Sequence, residues 1–283
     1  MNIELAEQYI LNNARLLERH RFAALFRGGD PQRVVAALLP YRNDDGGFGQ
    51  ALEPDGRGPG SQPAAVQHAF AILDEVGAFD GELVTGTCDY LAAISAEDGG
   101  LPFVHPNMRG YASAPWWQVP ERYEGNLIPT GHTTGLLHKH NVDHPWLAPA
   151  TEYCWRTIEN QTEFNTYETM SAVTFLDHVP DRARAQEAAA RLGKIVRAQP
   201  MGAESDQSYT PWDFAPRPES IARQWFSDDE VESGVDALEA SQKDDGSWPI
   251  RWPIWLAITG FEWGGMVTIE ALKVLVNYGR VSA

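Results

Sequence analysis

A chain of 283 residues with 43% apolar side chains is long enough to bury a sizeable core, as one large domain or two small ones. Its formal net charge of −17 argues against a nucleic-acid binder, which needs clustered Lys and Arg, and an anionic membrane surface would repel it. Two cysteines, Cys88 and Cys154, make no disulfide framework, and the acidic, amphipathic N-terminus lacks the basic-then-apolar order of a signal peptide, so a cytoplasmic protein is expected.

Apolar residues recur at helical spacing over 3–20, 31–40, 63–77, 82–95, 130–140, 146–160, 167–178, 181–198, 228–241 and 265–278. Asp30-Pro31, Asp181 and the Ser227-Asp-Asp-Glu230 box supply start signals. Strand-like alternation is nearly absent, and no apolar run reaches the roughly 18 residues of a membrane span. The sequence therefore reads as all-α, with no stable membrane insertion.

Three segments share one grammar. NDDGGFG (43–49), AEDGGLP (96–102) and KDDGSWP (243–249) each follow an apolar helix. Asp45 and Asp98 are 53 residues apart, and Asp98 and Asp245 are 147 apart, three times 49. A period of about 50 residues with two degenerate copies between them accounts for all three. Each unit is a helix, a glycine turn, an extended loop and a helix, which cannot bury its apolar face alone. Six such hairpins would close into an (α/α)6-like toroid forming a single domain over 1–283. The loops 104–129 and 199–217, rich in Pro, Trp and Tyr, are long insertions expected to fold over one mouth.

These residues resemble a family. GVDALEASQKDDGSW (234–248) is similar to the QW repeat of squalene–hopene cyclases, with Gly234, Leu238, Gln242, Gly246 and Trp248 at the family's spacing. DGGFGQALEPDGRG looks like the Gly-Gly-Phe-Gly turn of the terpenoid cyclase and protein prenyltransferase β-subunit superfamily. The resemblance implies an α/α toroid and, by extension, an apolar or isoprenoid small-molecule ligand. Independently of the name, Gly46, Gly47 and Gly49 permit a chain reversal, Gln242 can bridge free backbone groups at helix ends, and Phe48 and Trp248 can pack across hairpins.

The chemistry is fainter than the architecture. The glycine loop follows a helix, lacks the Gly-Lys-Ser/Thr ending and sits among carboxylates, so it is no nucleotide loop. The Asp-x-Asp-Asp acid of class II terpene cyclases is absent. Asp228-Asp229-x-x-Glu232 matches a class I metal motif but stands at a helix N-terminus, where acids cap. Neither cysteine has an Asp-x-Cys context for zinc, and His138, His140 and His144 fall at a helix end, so no metal and no cofactor are assigned.

Glu53 and Asp55, with Arg57 two residues on, lie between the first glycine turn and the helix beginning near Pro63, where the family's Glu-x-Asp-x-Arg stretch enters the cavity wall. They read either as a general-acid pair or as an ion-pair and hydrogen-bond network holding the loop, and both readings stay open. His132, in the first turn after the aromatic loop, is a further catalytic candidate, and Glu262 a counterpart in the last repeat. Trp116, Trp117, Tyr209, Trp212, Trp252, Trp255 and Trp263 follow turn positions. They serve either as substrate-binding faces that steady a carbocation or stack on a sugar, or as a packed plug.

Three functions remain: a terpenoid-cyclase-like enzyme acting on an isoprenoid, of isomerase or lyase type; a carbohydrate-active (α/α)6 enzyme using paired carboxylates; and a non-catalytic toroid that binds a ligand or partner.

Overall fold

Each helical pattern in the sequence is a helix in the structure, and the exceptions are instructive. A computed structural model describes residues 1–199 and 209–281. In chain order the helices are α1 (Ile3–Asn13), α2 (Leu16–Phe26), α3 (Pro31–Leu38), α4 (Pro63–Glu75), α5 (Gly81–Ile94), α6 (Leu127–Lys139), α7 (Leu147–Asn160), α8 (Thr166–His178), α9 (Arg182–Val196), α10 (Pro211–Phe214), α11 (Asp228–Ala240) and α12 (Ala257–Asn277). Among the described residues there is no β-sheet, only isolated bridges. The fold is all-α.

The chain forms two compact units, one of residues 1–37 and 197–283, the other of residues 38–196. In the second unit α4, α6 and α8 pack side by side, with α5 against α4, α7 against α6 and α8, and α9 against α7 and α8. The approach of α6 to α8 is close because Gly131 and Gly135 leave no side chain between them; a Cβ at Gly131 would stand 3.0 Å from the Ser171 carbonyl oxygen. Thr133 and Thr134 of α6 and Thr169 and Ser171 of α8 are buried as well. In the first unit α12 packs on α1, α2 and α11, around Ile10, Leu17, Ile269, Leu272 and Leu275.

The stretch expected as one helix over 3–20 is two, because Ala14 and Arg15 are extended, with ψ of 161° and 160°. The break seats the Ala14 methyl against Gly265 of α12, and Arg19 Nε donates to the freed Ala14 carbonyl at 3.0 Å. The last helix begins at Ala257 rather than 265. Within it Gly264 and Gly265 leave room for Tyr9 of α1 and for Ala14 just after that helix. Position 147, where an even period would put a copy of the turn, is instead the start of α7. The corresponding reversal follows α7 at 161–165, has no glycine, and buries Phe164. An even period fails here because the long 104–126 segment displaces everything after it. The second degenerate copy is expected near 196, where α9 ends, and residues 200–208 beyond it lie outside the described residues.

The three Asp-Gly turns are copies of one hydrogen-bonded device. Asn43, Ala96 and Lys243 donate their N–H to the carbonyls of Gly47, Gly100 and Ser247 at 2.9, 2.9 and 2.8 Å, and their own carbonyls accept from Gly46, Gly99 and Gly246. Oδ1 of Asp45, Asp98 and Asp245 accepts the N–H two residues on, at 2.9, 3.0 and 2.9 Å. The glycine at the fourth position has φ of 85°, 88° and 91°, where an L side chain is strained, and each backs onto a helix carbonyl: Gly86 of α5, Pro149 of α7 and Leu5 of α1. The residue behind each turn, Phe48, Leu101 or Trp248, is at most 1% exposed.

Gln242 does what its place in the repeat suggests. It accepts the Asn2 N–H at 2.6 Å and donates to the Asn2 and Gly246 carbonyls at 2.8 and 3.1 Å, while the Trp248 indole donates to the Leu238 carbonyl at 2.8 Å. Asn2 is the N-cap of α1, so the turn clamps a neighbouring helix end.

Gly246→Ala is expected to destabilise the protein by more than 3 kcal/mol, since left-handed strain of about 1–2 kcal/mol is joined by collision with Leu5. Gly77→Ala, at φ 66° with open space around it, is expected to cost only the strain of about 1–2 kcal/mol. Urea unfolding of both variants measures the difference.

Candidate functional site

The segment after the first Asp-Gly turn is held in an unusual course. Gln50 and Ala51 are both left-handed, with φ of 54° and 59°, although neither is glycine. The Gln50 side chain is tied to Asn43 at 3.0 Å, and Leu52 is fully buried, which fixes both ends of the strained pair. The chain then turns so that Oε2 of Glu53 accepts the N–H of Asp55 at 2.8 Å and of Gly56 at 3.2 Å. Glu53 and Asp55 are 6% and 4% exposed.

A second segment lies along this one. Gly56 pairs with Ser113, Arg57 donates its N–H to Ala112 at 2.9 Å, and Ala114 donates to the Asp55 carbonyl at 2.8 Å. Further along, His105 N–H donates to the Gln62 side chain at 2.9 Å and Asn107 Nδ2 donates to the Ser61 carbonyl at 3.2 Å. Gly56 is required because the Trp117 ring occupies the place of any side chain there. Trp117 is buried, edge-on to Phe103 at 6.0 Å. Trp116 is 41% exposed, yet its indole Nε1 donates to Asp55 Oδ2 at 2.8 Å. The crevice lined by Leu52, Glu53, Gln62, Ala65 and Trp117 has no volume that a water molecule can occupy.

Glu53, Asp55, Arg57, Trp116 and Trp117 are thus on two adjoining segments of one unit. His132 is half-buried on α6 of the same unit. The other histidines of that region have structural partners. His140 Nε2 lies 2.6 Å from Asp74 Oδ1 and its ring stacks on Phe79 at 4.4 Å; His144 pairs with Asp89 and His138 with Thr151. Burial alone would raise the Asp74 carboxyl, but Lys139 and His140 outweigh it and hold the group below its ordinary value. Burial pushes the thiols of Cys88 and Cys154 up to about 12, so both stay protonated and neither suits a zinc ligand or nucleophile. Among the described residues no three His, Cys, Asp or Glu side chains gather in a metal-binding group. Asp228 and Asp229 stand in the first turn of α11 behind the Ser227–Glu230 capping box.

The remaining candidates belong to the other unit. Tyr209 is 1% exposed, packed on Phe214 and Phe226 at 5.1 and 6.1 Å. Trp252 and Trp263 meet edge to face at 4.9 Å, Trp255 is half-buried, and Glu262 is 9% exposed on α12. Trp212 lies under the Arg251 guanidinium, 4.7 Å from ring centroid to charge. Arg251 also forks onto Asp213, with Nη1 donating to Oδ2 at 3.0 Å and Nη2 to Oδ1, and Asp213 Oδ2 accepts from Thr210 N and Oγ1 at 2.7 and 2.8 Å. Sequence reading missed Asp213 and Arg251. The Thr210-x-x-Asp213 capping box was a usable signal for the first, while nothing in the sequence joins Arg251 to it.

No protein-family model and no curated protein matches the sequence. Solved structures do match in fold. A protein from Actinoplanes aligns with a TM-score of 0.64 at 14% identity, over 97% of this chain and 98% of that one. A variant of the type II terpene cyclase MstE from Scytonema, in complex with its substrate geranylgeranyl dihydroxybenzoate, aligns with a TM-score of 0.57 at 14% identity, over 97% of this chain and 87% of that one. Another variant, in complex with the product merosterolic acid A, aligns at 0.58 and 13% identity, over 97% and 95%. The chain has a terpenoid-cyclase-like fold. No helix among the described residues is long and apolar enough to cross a membrane.

Two measurements test the electrostatics. The lowered Asp74 value means that its pairing stabilises the fold fully above the unfolded carboxylate value of about 3.9 and is lost as pH falls through the folded value. Asp74→Asn should therefore flatten the stability–pH curve on the acid side, below about pH 4, relative to the parent, as read by urea unfolding. Asp213→Ala should cost about 2–3 kcal/mol by the same measurement, because it strands Arg251 and the Thr210 donors.

Proposed function

We propose that the protein is a terpenoid-cyclase-like enzyme that takes an isoprenoid, with Asp55 as proton donor. The observation that carries this reading is the fold shared, over 97% of the chain, with a type II terpene cyclase that binds a geranylgeranyl substrate. The single α/α toroid expected from the repeat belongs to the same proposal. The Asp-x-Asp-Asp acid is absent, so a different carboxyl has to serve.

Glu53 and Asp55 divide the work between them. One oxygen of Glu53 is committed to two backbone N–H groups of its own turn, and the crevice beside it is closed even to water, which suits a brace. Asp55 is bonded instead to the indole of a tryptophan that is nearly half exposed, which suits a group near the edge of a site. Asp55 transfers its proton to one carbon of an alkene, the other carbon becomes cationic, and a ring face such as that of Trp116 steadies the charge. Loss of a proton from the cyclised cation ends the reaction and returns the balance. The chemistry calls for no cofactor.

Asp55→Asn should lower turnover of an isoprenoid panel by about 10²–10⁴-fold. Glu53→Gln should act mainly on stability, by about 1–2 kcal/mol. Full activity in Asp55→Asn sinks the assignment. The closed crevice favours one second reading, a non-catalytic ligand-binding protein, for which the same panel shows binding without turnover.

A further inference from the structure

We infer that the corner between α2 and α3 is a binding site for a small zwitterion of the amino-acid type. Arg33 and His20 take its carboxylate, and Asp30 takes its ammonium. A cavity of about 320 Å³ opens there, lined by His20, Ala23, Gly29, Asp30 and Arg33. That is the small end of the ~300–1,000 Å³ that ligand pockets span, so the site suits a compact molecule. It stands apart from Glu53 and Asp55 and does not depend on the isoprenoid chemistry proposed for them.

The corner is made by main chain. Gly28 is left-handed, with φ of 63°, and the Ala23 carbonyl accepts the N–H of Arg27 at 3.0 Å and of Gly29 at 2.9 Å. Gly29 then lies so close to α2 that a Cβ on it would stand 2.8 Å from the Ala23 carbonyl carbon. This part of the wall is backbone and one methyl group, which leaves the space between the longer side chains unfilled. Asp30 and Arg33 are exposed, while His20, Ala23 and Gly29 are half-buried, so the two opposite charges stand toward the mouth.

The charges of this segment divide sharply. Arg15 and Arg21 pair with Glu18 at 2.8 and 3.7 Å, Arg21 also with Glu270 at 3.1 Å, and Arg27 with Glu7 at 2.9 Å. Arg19 donates to the Ala14 carbonyl. The side chains of His20 and Arg33 have no hydrogen-bond or ion-pair partner among the described residues, and both line the one cavity. With 39 acidic residues against 22 basic ones, an arginine is not left over for want of acids. Asp30 and Arg33 even have the three-residue spacing at which opposite charges pair on a helix, yet they line the cavity unpaired. Asp30 Oδ1 accepts the Gln32 N–H at 2.9 Å, which leaves Oδ2 for an ammonium. A simple cation is opposed by Arg33 and a simple anion by Asp30, whereas a molecule carrying both charges satisfies both. The guanidinium offers a carboxylate two parallel donors, and an imidazole adds an N–H in either protonation state.

Calorimetric titration with glycine, L-serine, L-leucine and L-phenylalanine tests this, with acetate and methylamine as the two halves of the ligand. At least one amino acid should bind tenfold or more tightly than either half. Arg33→Gln and Asp30→Asn should each weaken that amino acid about tenfold or more, and Asp30→Asn should leave acetate binding no weaker. Gln at 33 breaks no side-chain contact, and Asn at 30 keeps an acceptor for the Gln32 N–H, so both variants should fold, as circular dichroism checks. The His20 ring C–H signals, identified by their loss in His20→Asn, should shift as the amino acid is added. No binding at millimolar concentration, acetate binding as tightly as the amino acid, an unmoved His20 signal, or unchanged affinity in either variant overturns the inference.

Discussion

Each Asp-Gly turn hangs on one short interaction, the N–H donated to an aspartate Oδ1 from two residues further on, with a left-handed glycine between them. The bond satisfies a backbone donor at the point where an α-helix has ended and the chain reverses. It also brings the glycine against the carbonyl of a facing helix, so turn and packing are set by the same residues. What varies among the copies is the cargo behind the turn. Phe48, Leu101 and Trp248 all fill the core, and the longer excursions that follow are free to carry chemistry.

The first of those excursions illustrates how rigidity is transmitted to a side chain. Two consecutive left-handed residues cost roughly 1–2 kcal/mol each, and they persist because Asn43 and the buried Leu52 hold their flanks. Beyond them Glu53 gathers the N–H groups of its own turn, and the 112–117 segment closes over it by backbone bonds. The Asp55 backbone is therefore fixed on both sides, and its carboxyl receives the Trp116 indole N–H. The Asp213–Arg251–Trp212 group of the other unit uses a different means, a bidentate ion pair with an aromatic floor.

The helices and the Asp-Gly turns could be read in the sequence because both rest on local periodicity and on residue types with a single strong conformational meaning. What escaped has a common cause in long-range packing. The room that Gly264 and Gly265 leave for Tyr9 and Ala14 has no local signature, and the reversal at 161–165 is invisible because Phe164 does its packing without a glycine. At the candidate site the carboxylates stood out through their place in the repeat. The pairing of Trp116 with Asp55 spans 61 residues and follows from the register of two loop segments, which no spacing in the sequence encodes.

One unit is continuous in the chain and the other is not, and this bears on how the molecule is made. The unit of residues 38–196 has all its helices in one run. The other joins α1 and α2 to α11 and α12, more than two hundred residues further along the chain. The meeting of α1 with α12, and of its N-terminus with Gln242, therefore closes a loop that contains every residue of the continuous unit. Folding of this unit carries the loop-closure cost of contacts far apart in sequence, whereas the continuous unit can form on contacts nearer along the chain.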